Sequence, residues 1–239
     1  MKKILFVLLL LNLIGPVLVV ADQYRFITGN KVPICELCKK NLESLEKPSI
    51  TCAREYNQKF TALKSVEWTK LDVMDHKDLL RKIDEFIAYG DQYARGKTVH
   101  GSTDVEFEEL LREEVRRQVF GLSSVETDID NDGQPEVVLR YERGSCRFFE
   151  TRAEQLFVIT SDHSALDVEK TRFLLEWAWG SSVGIFLHEN ITYVDIWVDL
   201  EERLTTYKYV NGKVHEVCGL KYRQSPKTSN PSQIGRAHV

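Results

Sequence analysis

Asp128, Asp130 and Asp132 stand at alternate positions in the run TDIDNDGQPE, followed by Gly133, Gln134 and Glu136. Hard oxygen ligands in that pattern suit Ca2+, because a chain curling round the ion turns every second side chain inward. Gly133 permits the backbone reversal. Gln134 offers a backbone carbonyl, and Glu136 a further carboxylate, directly or through water. In the EF-hand register, positions 1, 3, 5, 6 and 9 are filled, but position 12 is Leu139, so the bidentate glutamate is missing. The same residues also make a solvated Asp/Asn/Gly turn without metal. Three like charges packed together repel, which favours a cation. Acid–base catalysis is disfavoured, since no second acid or cleft aromatic can be placed beside them. The expected cofactor is a structural Ca2+ held by Asp128, Asp130, Asp132, Gln134 and Glu136.

The flanks SVETDI and EVVLRY are strand-like, and Pro135 suits a turn. On these residues the loop resembles the strand–loop–strand calcium loops of FG-GAP and VCBS type, DxDxDGxxE/D. A propeller needs several copies and the chain has one, so the resemblance implies an ion site and no propeller.

Other motifs weaken in context. CELC, with Cys35 and Cys38, has redox spacing, but no βαβ setting surrounds it and Cys52 offers a competing partner. GSSVG matches the nucleophile-elbow spacing with Ser182, but that mechanism needs strand, turn and helix in order, and here the order reads reversed. His76, His100, His163, His188 and His215 show neither i, i+4 pairing nor HExxH, so zinc is not expected. Trp177, Trp179, Tyr193 and Trp197 fill a sheet–helix interface more readily than they form an exposed platform for sugar or peptide. Asn190, in NIT, is a glycan acceptor only in a eukaryote.

These groups must be held by a scaffold, which the pattern divides in two. A short helix is expected from Arg54 to Phe60. DHKDLLRKIDEFIAYGDQYARG reads as a helix, with Leu79, Leu80, Ile83, Phe86 and Ile87 on one face, Asp75 as its cap and Gly90 near its end. STDVEFEELLREEVRRQVFGL reads as a second, with Thr103 as cap and Phe107, Leu110, Leu111, Val115 and Val119 as its stripe. From Ser124 onward β-branched and aromatic runs dominate, with DVEKTRFLLEWAW as a helix between strands. Asn211-Gly212 marks a two-residue hairpin facing Tyr209 with Val214, Tyr207 with Glu216 and Thr205 with Cys218. The expected fold class is α+β: N-terminal helices packed on a mostly antiparallel sheet of about six to eight strands.

Residues 1–21 read as a secretory signal peptide: Lys2 and Lys3, an apolar run, then small residues before Asp22. The alternative is a membrane anchor, and cleavage leaves no span. The tail QIGRAHV, 233–239, can be written CAG ATC GGA AGA GCA CAC GTC and is read as a translated sequencing adapter. Between the ends lie a helical region with a cysteine cluster, 22–122, and an antiparallel β region carrying the aspartate loop, 123–232. The formal charge is −4, and it grows more acidic without Lys2, Lys3 and Arg236. Such a balance excludes a footprint for nucleic acid or anionic lipid. Five cysteines in an oxidising compartment imply disulfides. Cys35 with Cys52 and Cys146 with Cys218 are expected, leaving Cys38 over, though Cys38 with Cys52 serves equally. The Cys35–Cys52 loop would contribute about 3 kcal/mol.

The motifs ICE, KNLESL, WTKLD (Trp68 to Asp72), DIDNDGQPE and the closing ITYVDIW, VNGKV and VC resemble a set of uncharacterised exported proteins of Gram-negative bacteria. That resemblance implies a periplasmic or secreted location, a calcium-like loop and no particular reaction. The expected function is therefore calcium-stabilised binding of a protein or glycan partner rather than catalysis. The competing expectation is a hydrolase of cell-wall or carbohydrate substrates, with acids drawn from elsewhere in the sheet.

Overall fold

Long apolar runs such as EVVLRY and QLFVIT arise here because strands are buried on both faces. The computed structural model describes residues 24–45, 59–89, 104–144, 153–175, 179–180, 182–198 and 201–222. Strands β1 (Tyr24–Thr28), β2 (Lys64–Ser65) and β3 (Thr69–Lys70) come early in the chain. Helices α1 (Pro33–Glu43), α2 (Lys77–Tyr89) and α3 (Asp104–Arg116) lie among and after them. There follow β4 (Phe120–Thr127), β5 (Glu136–Arg143), β6 (Ala153–Ile159) and α4 (Val168–Leu175). Strands β7 (Trp179–Gly180), β8 (Ser182–His188), β9 (Ile191–Val198), β10 (Arg203–Val210) and β11 (Lys213–Tyr222) complete the chain's described elements.

The class is mixed α+β, but the strands form two antiparallel sheets rather than one. The first has the order β1-β11-β10-β9-β8-β2 and the second β3-β4-β5-β6-β7. Side-chain alternation sorts the core into three layers. On β5, Val137, Leu139 and Tyr141 pack with Leu79, Leu80, Ile83 and Phe86 of α2 and Leu111 of α3. The intervening Val138 joins Leu156, Val158, Val183, Ile185, Val194 and Ile196 between the sheets. On the far face of the first sheet, Phe186, Tyr193, Trp197, Leu204 and Leu220 pack with Ile34, Cys35, Cys38 and Leu42 of α1. The helices therefore cover both outer faces rather than standing together at the N-terminus, and α4 falls between β6 and β7, within the run DVEKTRFLLEWAW read as a helix between strands. No helix among the described residues is long and apolar enough to cross a membrane.

Helix α1 was not expected. It starts with Pro33 in its first turn, where a missing N–H costs nothing. Ile34, Cys35, Cys38, Asn41 and Leu42 are its buried face. Cysteine behaves as a small apolar residue there, which completes the helical period. The expected helix of 54–60 falls mainly on 54–58, outside the described residues, as do Gly90 and the Thr103 cap. Among the described residues no side-chain bond from Asp75 caps α2; Asp72 Oδ1 instead accepts the N–H groups of Met74 (2.8 Å) and Asp75 (3.2 Å) and so closes the turn that leads into the helix. Helix α3 ends at Arg116, earlier than its stripe suggested, through Gln118 at φ +56°. Val119 N–H reaches back to Glu114 C=O and Gln118 N–H to Val115 C=O, the Schellman pattern. Leu110 and Val115 of the expected stripe are exposed, and Phe120 to Leu122 enter β4.

The Asn211-Gly212 hairpin forms with both residues at positive φ, and Tyr209 faces Val214 and Tyr207 faces Glu216 as expected. Between Tyr207 and Thr206 the register slips by one through a bulge, so Cys218 faces Thr206 and Thr205 faces Gly219.

Both expected disulfide pairings are overturned. Cys35 is bonded to Cys218, with Cα atoms 5.5 Å apart and a sequence separation of 183. Cys218 does point into the core, but β1 pairs with β11 and carries α1 against it, so Cys35 is the cysteine it meets. Cys52 and Cys146 lie outside the described residues. Gly29, at φ +78°, turns the chain from β1 into α1. A Cβ there would sit 2.3 Å from the Val217 carbonyl oxygen and 2.8 Å from Cys35 Sγ, so only glycine allows this approach.

Candidate metal loop

The aspartate loop joins β4 to β5, and its acids first serve its own backbone. Asp128 accepts the N–H groups of Asp132 and Gly133, each at 2.9 Å, through its two carboxylate oxygens. Asp130 Oδ1 also accepts Asp132 N–H at 3.3 Å, and Asp132 Oδ1 accepts Gln134 N–H at 2.8 Å. Glu136, buried at the start of β5, accepts Ile129 N–H at 3.0 Å across the loop's neck. Asn131 at φ +57° and Gly133 at φ +93° make the two left-handed steps that close the turn.

Of the five expected ligands, three converge. Carboxylate oxygens of Asp128, Asp130 and Glu136 lie within 4.8 Å of one another. Asp132 and Gln134 are outside that group and exposed.

Two residues that sequence reasoning missed complete the arrangement. Lys170 Nζ bonds to Asp130 Oδ2 at 3.0 Å and to Glu136 Oε1. Asp167 Oδ1 accepts Lys170 N–H at 3.0 Å and so caps α4 with Lys170 in its first turn. Thr171, fully buried, fixes α4 to β6 by accepting Val158 N–H (2.9 Å) and donating to Val158 C=O (3.0 Å). Among the described residues β7 pairs with Glu154 and Gln155 of β6, and α4 lies against the Val158 part of that edge. The second missed residue is Asn131, whose side chain bonds to the other sheet. Its Nδ2 donates to the carbonyls of Thr192 (3.2 Å) and Tyr209 (2.8 Å), and its Oδ1 accepts Thr192 N–H at 2.7 Å. An asparagine between two aspartates is the only sequence signal for that role; for Lys170 there is none.

The electrostatics follow from burial. Burial pushes the Glu136 carboxyl above its ordinary value, outweighing hydrogen bonds from Lys170 and Ile129. Burial opposes the charge on Lys170, but hydrogen bonds to Glu136 and Asp130 hold its ammonium above the usual lysine value. Burial and the charge of Asp130 also raise the Tyr209 hydroxyl, which lines a small cavity with Ile129, Asp130, Lys170 and Leu174. Among the described residues, the Lys170 ammonium is the cation bonded to this trio, and it answers one of three carboxylate charges.

Elsewhere, Ser182 is buried at the first position of β8, paired with Trp197, and stands on no strand-to-helix elbow. Gly180 ends β7 of the second sheet, and Ser182 opens β8 of the first. Tyr193 and Trp197 are core residues beneath α1, so no platform includes them; Trp177 and the Trp179 side chain lie outside the described set. Cys35 is held by Cys218, which removes the bonded Cys35–Cys38 pair that a CxxC redox site requires.

Fold and site together define a two-sheet α+β protein with an acidic loop stitched between its sheets. Comparison of the chain with protein-family models, with curated proteins and with solved structures finds no match.

Proposed function

We propose that the loop is a structural divalent-cation site, for Ca2+ by the hardness of its ligands, in an exported protein that works by binding a protein or glycan partner. The observation carrying this reading is the convergence of Asp128, Asp130 and Glu136 oxygens within 4.8 Å, with Lys170 leaving two negative charges, the complement of one divalent ion. Glu136 roots the trio in β5 and Asn131 in the first sheet, so a bound ion would strengthen the junction of the sheets. Export is supported by the leader-like first residues and by the Cys35–Cys218 disulfide, which persists in an oxidising compartment.

The test is calorimetric titration of the chain with Ca2+ beside an Asp130→Asn variant. Saturable binding should be lost in the variant. At a hundredfold excess over Kd, Ca2+ should stabilise the parent by about 2.7 kcal/mol. Absence of binding at millimolar Ca2+ overturns the reading. A hydrolase is the second reading, favoured by one cleft: Asp84 and Glu114 line the same recess between α2, α3 and β5. Hydrolysis of a glycan that is lost in both Asp84→Asn and Glu114→Gln would establish it.

A further inference from the structure

The histidines share no metal spacing in sequence, yet two of them meet in the fold. His76 precedes α2, and its carbonyl accepts the Leu80 N–H that opens the helix. His163 sits in the tight turn between β6 and α4, at φ +59°. That turn is closed by Thr160 N–H to Ala165 C=O and by His163 N–H to Thr160 C=O, each 2.9 Å. Lys82 Nζ of α2 donates to Ser164 C=O at 3.0 Å and holds the turn against the helix. The two imidazoles are thereby placed with ring centroids 5.7 Å apart and planes tilted by 43°.

We propose that His76 and His163 form a binding site for a borderline divalent transition metal such as Zn2+ or Ni2+. Imidazole nitrogens bind such an ion at about 2.0–2.1 Å, and two rings sharing a tetrahedral ion then have centroids roughly 5 Å apart. The observed 5.7 Å is within a small ring movement of that value. His76 is prepared for this in its protonation. Its Nδ1 lies 2.7 Å from the Asp72 carbonyl oxygen, which can only accept, so Nδ1 carries the proton and the Nε2 lone pair is left for a ligand. Asp72 is itself fixed by the Met74 and Asp75 N–H groups on its side chain. No third His, Cys, Asp or Glu among the described residues completes a trio with the rings, so water fills the remaining positions. Imidazole donors separate this site from the aspartate loop, whose oxygens suit Ca2+. A bound ion would staple α2 to the turn that leads into α4.

The experiment is calorimetric titration of the chelator-treated chain with Zn2+, in millimolar Ca2+ to occupy oxygen sites. It is paired with imidazole nitrogen chemical shifts by NMR. Expected is uptake that His76→Asn and His163→Asn each weaken about tenfold or more, and that His215→Asn leaves unchanged. His76 Nε2, rather than Nδ1, should shift on saturation. Asparagine at 76 can still donate to the Asp72 carbonyl, and thermal unfolding without metal checks that the variants fold. Uptake that is absent below millimolar Zn2+, or that survives both substitutions, overturns the proposal.

Discussion

Asn131 and Thr192 exchange two hydrogen bonds, side-chain amide to main-chain peptide, at 3.2 and 2.7 Å. The amide thus imitates a strand partner at the start of β9, and the loop between β4 and β5 becomes a bond between the two sheets. Asn131→Ala removes these bonds and the one to Tyr209 C=O. The expected loss is about 2–3 kcal/mol, at about 1 kcal/mol for each net hydrogen bond. Asn131→Asp keeps the acceptor but sets a carboxylate oxygen against the Thr192 and Tyr209 carbonyls and adds charge to the acidic loop, so it should be no more stable than the Ala variant in a urea titration.

Lys170→Met leaves Glu136 buried and Asp130 half-buried without their shared cation. Half-exposure of the lysine moderates the effect, and a loss of about 2 kcal/mol is expected at neutral pH. Lys170→Met/Glu136→Gln should recover part of that loss, since it removes the orphaned charge with its partner. A double-mutant cycle by chemical unfolding measures the coupling.

The Cys35–Cys218 bond closes a loop of 183 residues, for which loop-closure entropy gives about 5 kcal/mol. Cys218→Ser should lower the unfolding free energy by about that amount and separate α1 from β11. Proteolysis of the unreduced chain with mass spectrometry should return one peptide pair joining Cys35 to Cys218. A peptide joining Cys35 to Cys52 instead would contradict the observed packing.

Asp84 accepts the Tyr141 hydroxyl at 2.9 Å, and burial raises its carboxyl above the ordinary 3.8, with Tyr141 and Arg143 only partly offsetting it. A carboxyl raised in the folded state binds its proton more tightly there than in the unfolded chain. The stability it contributes is present below 3.8 and is lost as pH climbs through the folded value. Asp84→Asn keeps the acceptor for Tyr141 and removes the titration. Urea midpoints of parent and variant should therefore diverge in the variant's favour as pH rises from about 3 to about 6.

What the sequence determined alone is local. The Asn211-Gly212 turn, the α2 face and the reversal at Asp128 to Gly133 each depend on neighbours within one turn of chain, so residue types suffice to read them. Helix α1 was legible too, had Cys35 and Cys38 been counted as apolar residues and not as thiol chemistry. The division into two sheets was not. Alternation identifies a strand's inner face only when the other face is wet, and Val137, Val138 and Leu139 are all buried. Tertiary structure alone decided which distant groups meet: Cys35 with Cys218, Lys170 with Glu136, Asn131 with Thr192, His76 with His163. None of these pairs is joined by spacing. Each is brought together by layers that pack to bury apolar surface, and the polar contacts form where that packing leaves the two partners.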